Sequence, residues 1–217
     1  MGFGGLNLTI PLKEKAMEIV LPDYLAAAIG AVNTVSFGEE IVGHNTDGSG
    51  AMMALENAGI KIKGSRTLLI GAGGAARAIA YTLAKEGAEI SIANRSHGKA
   101  LELAGSIQAE GYGLEDLERL VPQADVIINA TSVGMKEDDP RLFDGNLLHE
   151  GQVVFDIVYN RETEMLKDAA KAGAVAIDGV MMLVYQGAKA LEIWTGQQAP
   201  IDVMEKAVRE GLKARER

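Results

Sequence analysis

Short apolar runs alternate with longer stretches of helix-forming residues through most of this chain. Arg66 to Ile70 (RTLLI) reads as a buried strand and runs directly into Gly71-Ala-Gly-Gly74. Ala75 to Glu86 is rich in helix formers and stops at Gly87, a glycine suited to a helix C-terminus. The same alternation predicts strands at Glu89 to Ala93, Asp125 to Ile128, Gln152 to Ile157 and Ala174 to Ile177, with helices at Lys99 to Ile107 and Glu162 to Ala172. Strands joined by helical crossovers of this length predict right-handed βαβ units and a parallel sheet covered on both faces.

The two ends of the chain are patterned differently. Leu6 to Ile10 reads as a strand stopped by Pro11, followed by a short helix from Leu12 to Ile19. Ala31 to Phe37 and Glu40 to Gly43, joined across Gly38-Glu39, read as a hairpin or two short strands. A helix is expected from Asp47, whose carboxylate suits a first turn, to Asn57-Ala-Gly59. Beyond residue 180 come two helices, Met181 to Thr195 and Ile201 to Ala214, separated by Gly196 to Pro200. No strand follows them, so they are expected to cross back onto the first segment. The expected fold is α/β: a Rossmann-like parallel-sheet nucleotide domain, residues 48–180, inserted in a smaller α/β domain made of residues 1–47 and 181–217.

Composition narrows the function. Thirty acidic against 21 basic residues give a net charge of −9, which disfavours nucleic acid and anionic membrane surfaces as partners. The absence of cysteine excludes thiolate chemistry and Cys-based zinc sites, and three scattered histidines (His44, His97, His149) argue against a metal centre. No apolar run approaches the roughly 20 residues of a membrane span and no signal peptide opens the chain, so a cytoplasmic location is expected. Glycine, at 26 of 217 residues, is the outlier, and it marks turns rather than a low-complexity tract.

One of those turns carries chemistry. Gly71-Ala72-Gly73-Gly74-Ala75-Ala76 is a GxGxxG variant lying between a strand and a helix, the order a dinucleotide site needs. The first glycine permits the tight turn and the second admits a pyrophosphate close to the backbone. The helix N-terminus supplies N–H donors. A tight turn without ligand is the plainer alternative. At the end of the next strand, where NAD sites carry an acidic residue, stand Asn94-Arg95-Ser96, with Lys99 beyond. A guanidinium suits a 2′-phosphate and a carboxylate would repel it, so NADP is the expected cofactor. An enzyme of this kind needs a proton-transferring group. Lys13 and Asp47 are candidates, although each has a plainer use, as a solvated lysine and as an N-terminal helix residue.

Taken in order, the motifs resemble one family. Asn7-x-Thr9-x-Pro11-x-Lys13, Gly30-Ala-Val-Asn33-Thr34, Asn45-Thr-Asp47-Gly48 and Gly71-Ala-Gly-Gly-Ala-Ala-Arg77 are similar to the shikimate dehydrogenases. Asn94-Arg-Ser96, Asn129-Ala-Thr131-Ser, Asp156-Ile-Val-Tyr159-Asn160 and Gly179 to Gln186 continue the resemblance along the whole chain. It implies NADPH-dependent reduction of 3-dehydroshikimate to shikimate, on the route to chorismate and aromatic amino acids. It also implies Lys13 as acid/base beside Asp47, and substrate contacts from Thr9, Asn33, Asp47, Tyr159 and Gln186. Gly71, Ala72, Gly73, Gly74 and Ala75 would hold the pyrophosphate, and Asn94, Arg95, Ser96 and Lys99 the 2′-phosphate. Thr131, Ser132, Ile157 and Gly179 match further cofactor positions. No metal is implied.

One departure from the family pattern matters. Members carry a Ser-x-Ser motif for the substrate carboxylate on a strand-and-helix segment ahead of the Lys13 motif, and Ser36 and Ser49 lack its context. The small domain is therefore expected to be N-terminally incomplete, with weakened substrate binding and impaired activity. Leu6 to Ile10 would then form an edge open to pairing with another chain, including a homodimer. A quinate/shikimate dehydrogenase of broader specificity, or an NADP-binding module with little activity, are the alternative readings.

Overall fold

The computed structural model describes residues 3–215, so residues 1–2 and 216–217 of the expected small domain lie outside the described residues. Two sheets organise the chain. The first is built from β1 (Gly5–Asn7), β2 (Leu21–Pro22), β3 (Thr34–Phe37) and β4 (Ile41–His44) in the order β1-β3-β4-β2. β3 and β4 form the expected antiparallel hairpin, with Thr34 opposite His44 and Phe37 opposite Ile41. The predicted strand from Leu6 is shorter than expected because the chain turns early. The Thr9 carbonyl accepts from Leu12 N at 2.8 Å, which folds Thr9 to Pro11 into the start of α1 (Leu12–Lys15). The expected helix to Ile19 is α-helical only to Lys15 and continues as a 3₁₀ turn, Ala16–Glu18. Sequence patterning missed β2 and α2 (Tyr24–Ile29). α2 starts where the Asp23 carboxylate accepts from Ala26 N at 2.7 Å and ends at Gly30, which takes the left-handed φ of 75°.

The second sheet is parallel and has six strands: β5 (Arg66–Ile70), β6 (Glu89–Ala93), β7 (Glu110–Tyr112), β8 (Val126–Asn129), β9 (Val153–Asp156) and β10 (Val175–Ile177). Their order, β10-β9-β8-β5-β6-β7, reverses direction between β5 and β8 and is the doubly wound arrangement. The crossovers carry α4 (Gly74–Lys85), α5 (His97–Ile107), α6 (Leu117–Leu120) and α7 (Glu164–Lys171). Alternation along β5 divides the core in two. Leu69 packs with Ile79, Leu83, Leu103 and Phe155 on one face, while Leu68 and Ile70 pack with Leu117, Leu120 and Leu166 on the other. Both faces of the sheet are thus buried, which is why its strands read as continuous apolar runs.

The two sheets meet through α3 (Asp47–Asn57) and α8 (Val180–Thr195), with α9 (Ile201–Arg215) packed on α8. Glycines set the closeness of this contact. A Cβ on Gly50 would lie 2.9 Å from Gln186 of α8, and one on Gly48 would lie 2.6 Å from the Ala78 carbonyl of α4. α8 does cross back onto the first segment as expected: Trp194 Nε1 donates to the Val35 carbonyl at 2.9 Å. Among the described residues no helix is long and apolar enough to cross a membrane, and no group of His, Asp or Glu side chains is arranged to hold a metal.

Candidate active site

Lys13 and Asp47 are 34 residues apart and meet where α1 faces the first turn of α3. Lys13 Nζ donates to Asp47 Oδ2 at 2.6 Å, a short charge-assisted bond, and Asp47 is 3% exposed. Asp47 sits at the N-terminus of α3, where helix N–H groups favour negative charge. Its other oxygen accepts from Asn33 Nδ2 at 2.8 Å. The same amide group lies 2.9 Å from Thr46 Oγ1 and 3.3 Å from Gln186 Oε1. Asn33 Oδ1 accepts from Thr46 N at 2.9 Å, which fixes the amide's orientation. Four of the predicted site residues, Lys13, Asn33, Asp47 and Gln186, therefore form one hydrogen-bonded group from four separate stretches of chain.

The glycine turn lies directly beside this group. A Cβ on Gly74 would sit 3.0 Å from Lys13 Cβ and 3.4 Å from Ala31 Cβ, so a side chain there would crowd α1 against the turn. Gly71 has φ +122°, and a Cβ there would lie 2.8 Å from the Ala130 carbonyl. Gly73 is exposed, with open space where a Cβ would stand. No side chain caps α4, so the donors of its first turn are available to a phosphate. Those features fit a dinucleotide. An open cleft of about 540 Å³ joins the turn to its surroundings and is lined by Lys13, Lys15, Gly74 and Lys99. Arg95, Ser96 and Lys99 are exposed beyond β6, and Asn94 holds that bend by donating to the Ser96 carbonyl at 3.0 Å.

Across the switch point, the loops after β8 and β9 carry the remaining predicted cofactor residues. Thr131 is held by Asn129, whose Oδ1 accepts from Thr131 N at 3.0 Å and from Thr131 Oγ1 at 2.7 Å. Ser132 is exposed, and its carbonyl accepts from Met135 N at 3.2 Å. Gly179 packs on the Ile157 backbone so tightly that no side chain fits, and its N–H donates to the Val158 carbonyl at 3.1 Å. Beneath both loops lies Asp156, which is completely buried. Burial pushes its carboxyl up to about 6, against the opposing pull of hydrogen bonds from Val158, Thr163 and Asn129.

The structure does not bring every predicted residue together. Thr9 is exposed in the turn before α1, and it is its carbonyl that accepts from Leu12 N. Tyr159 is 37% exposed and lines a different cleft, with Arg161, Asp178 and Arg209. Sequence reading also missed a Ser–His–Asp line in the smaller sheet. His44 Nε2 lies 2.9 Å from Ser36 Oγ, and His44 Nδ1 lies 2.7 Å from Asp23 Oδ2. This is not a nucleophile's setting. β3 is paired on both sides, by β1 and β4, and so has no spare backbone N–H groups for an oxyanion. The line instead ties the hairpin to the start of α2.

Comparison with known proteins finds shikimate and quinate dehydrogenases. Residues 52–182 match the family model described as shikimate / quinate 5-dehydrogenase. Residues 1–35 match the shikimate dehydrogenase substrate binding domain, and residues 179–209 the shikimate 5′-dehydrogenase C-terminal domain. The NADP(+) shikimate dehydrogenase of Methanothrix thermoacetophila is 62% identical over 98% of this chain and 79% of its own length. The crystal structure of shikimate dehydrogenase from Aquifex aeolicus superposes with a TM-score of 0.90 at 40% identity, over 95% of this chain and 77% of that one. The Thermus thermophilus shikimate 5-dehydrogenase in complex with NADP(H) and shikimate superposes at 0.88 and 37% identity, over 96% and 79%.

Proposed function

The chain belongs to the shikimate/quinate 5-dehydrogenase family, and from that premise we propose that it interconverts 3-dehydroshikimate and shikimate with NADP(H), with Lys13 moving the proton. The observation that carries this reading is the 2.6 Å bond between Lys13 and Asp47 beside the glycine turn. Lys13 and Gly74, the first residue of α4, line one cleft, which sets the proton-transferring ammonium beside the turn read as a dinucleotide site.

Bound NADPH supplies a hydride, and the protein must provide a proton to the oxygen that becomes negative. Lys13 Nζ gives that proton to the developing alkoxide in reduction and takes it back in oxidation. Asp47 holds the ammonium in line, and Asn33 holds Asp47 through its second oxygen. Asn33 and Gln186 present amide donors and acceptors to a ring with several hydroxyls. Thr9 and Tyr159, which lie outside the Lys13 group, are assigned substrate contacts on the family resemblance alone, Tyr159 to the substrate carboxylate. Gly71 to Ala75 hold the pyrophosphate, and Asn94, Arg95, Ser96 and Lys99 the 2′-phosphate. Thr131, Ser132, Ile157 and Gly179 line the cofactor's other end. On this division residues 48–180 bind the dinucleotide, while residues 1–47 and 181–217 bind the substrate.

The test is reduction of NADP by shikimate, followed as NADPH appears, in the parent and in Lys13→Ala. Loss of the general acid/base is expected to lower kcat by about 10²–10⁴-fold. Equal rates would take Lys13 out of the mechanism. Tight NADPH binding without turnover in the parent would favour a binding module over an enzyme. Turnover of quinate at a rate similar to shikimate would make this a dehydrogenase of broader specificity.

A further inference from the structure

We propose that Asp156 is a positioning residue that locks together, from below, the two loops facing the cofactor across the switch point. Asp156 Oδ1 accepts from Asn129 Nδ2 at 3.0 Å and from Val158 N at 3.0 Å, and Oδ2 accepts from Thr163 Oγ1 at 2.8 Å. These three donors belong to three different pieces: the end of β8, the loop after β9, and the N-cap of α7. Asn129 passes the constraint on. Its Nδ2 also donates to the Val133 carbonyl at 3.0 Å, and its Oδ1 takes both donors of Thr131. Thr131 Oγ1 in turn accepts from Val133 N at 3.0 Å. The start of the loop, Thr131 to Val133, is thus hung on one carboxylate.

The choice of side chain supports this role. Every group on Asp156 is a donor, and an ionised carboxylate is an acceptor on both oxygens, which asparagine is not. All three are neutral, so no cation repays the burial of the charge, a costly arrangement for a residue whose only task is filling space. The loop also closes down on this point. Gly134 has φ +101°, and a Cβ there would lie 2.9 Å from Thr163 Cγ2. Asn160 Nδ2 donates to the Met135 carbonyl at 3.0 Å and Arg161 Nη1 to the Lys136 carbonyl at 3.1 Å, tying the same two loops at the surface.

The inference rests on the reading of Thr131, Ser132 and Ile157 as cofactor residues. It is tested by NADPH fluorescence titration, thermal unfolding and NADP reduction by shikimate, in the parent, Asp156→Asn, Thr163→Val and Thr163→Ser. Displacement of a loop by about 1 Å costs on the order of 10²-fold in rate. Asp156→Asn should lower kcat/KM for NADP by about that factor and raise the NADPH Kd about tenfold while remaining folded. Thr163→Val should shift Kd in the same direction, and Thr163→Ser, which keeps the hydroxyl, should restore it. A folded Asp156→Asn with NADPH Kd within about twofold of the parent overturns the inference. If Asp156→Asn does not fold, an unchanged Kd in Thr163→Val overturns it. A parent that binds NADPH but does not oxidise shikimate refutes the proposed activity and leaves the binding comparison standing. A parent that does not bind NADPH refutes both.

Discussion

Asp156 and Lys13 illustrate how differently single residues reveal themselves. Lys13 and Asp47 were legible because they sit in short motifs that carry the family resemblance; taken alone, each had a plainer use. Their 2.6 Å contact across 34 residues was not legible, since nothing local encodes it. Asp156 carries no local signal of a role, because its importance lies in three donors from Asn129, Val158 and Thr163 that only the fold assembles. Its environment makes a prediction about stability. Burial raises this carboxyl from 3.8 to about 6, so the folded state holds the proton more tightly than the unfolded state does. The stabilisation is fully present below the unfolded value and is lost as pH rises through about 6. Against a non-titrating Asp156→Asn reference, the parent should therefore gain about 2 kcal/mol on going from about pH 7.5 to about pH 4. Urea unfolding of both proteins at the two pH values measures this, and the exposed carboxylates cancel in the difference. A difference that is flat with pH would mean that Asp156 titrates normally.

At the scale of elements, the long βαβ units were readable and the short pieces were not. β5 and β6 run over the predicted residues, and α3 spans Asp47 to Asn57 as expected, because continuous apolar runs and helix-forming stretches carry their own signal. α2 and β7 are only six and three residues long, too short for a period to emerge, and β2 is a pair of residues defined by its partner β4. The packing of α3 between α4 and α8 was likewise invisible, although its device, Gly48 and Gly50 two residues apart, is plain in the sequence once the neighbours are known. Gly50 is where this packing meets the site, since a Cβ there would press on Gln186 at 2.9 Å. Gly50→Ala should cost about 1–3 kcal/mol through overpacking and push α8 outward. Because Gln186 lies at the contact, while Gly179 at the start of α8 is pinned to Val158 and packed on the Ile157 backbone, the expected signature is a raised KM for shikimate with little change in NADPH Kd. A parallel loss of NADPH affinity would show that α3 supports both sites equally.

For the whole molecule, the smaller sheet has two outer edges of unequal character. β2 is two residues long and ends in Pro22, which offers no N–H, so that edge is blunted. β1 is paired only with β3 among the described residues and carries no proline or lysine. Leu6, which stands opposite Val35, and Phe37 further along β3 are each 40% exposed and give this side of the sheet an apolar surface. Such an edge invites a further strand. The net charge of −9 opposes the approach of a second copy, but that repulsion is screened beyond about 8 Å at physiological ionic strength. The expected behaviour is self-association that grows with protein concentration and with salt, read as weight-average mass by light scattering. Leu6→Lys should reduce it, because a charged edge residue penalises strand pairing while its aliphatic stem still covers the sheet. NADPH affinity should be unaffected, since β1 lies in the other sheet from the glycine turn. Association that persists unchanged in Leu6→Lys would move the contact elsewhere on the surface. Association that weakens as salt rises would show that opposite charges, not an apolar edge, bring the copies together.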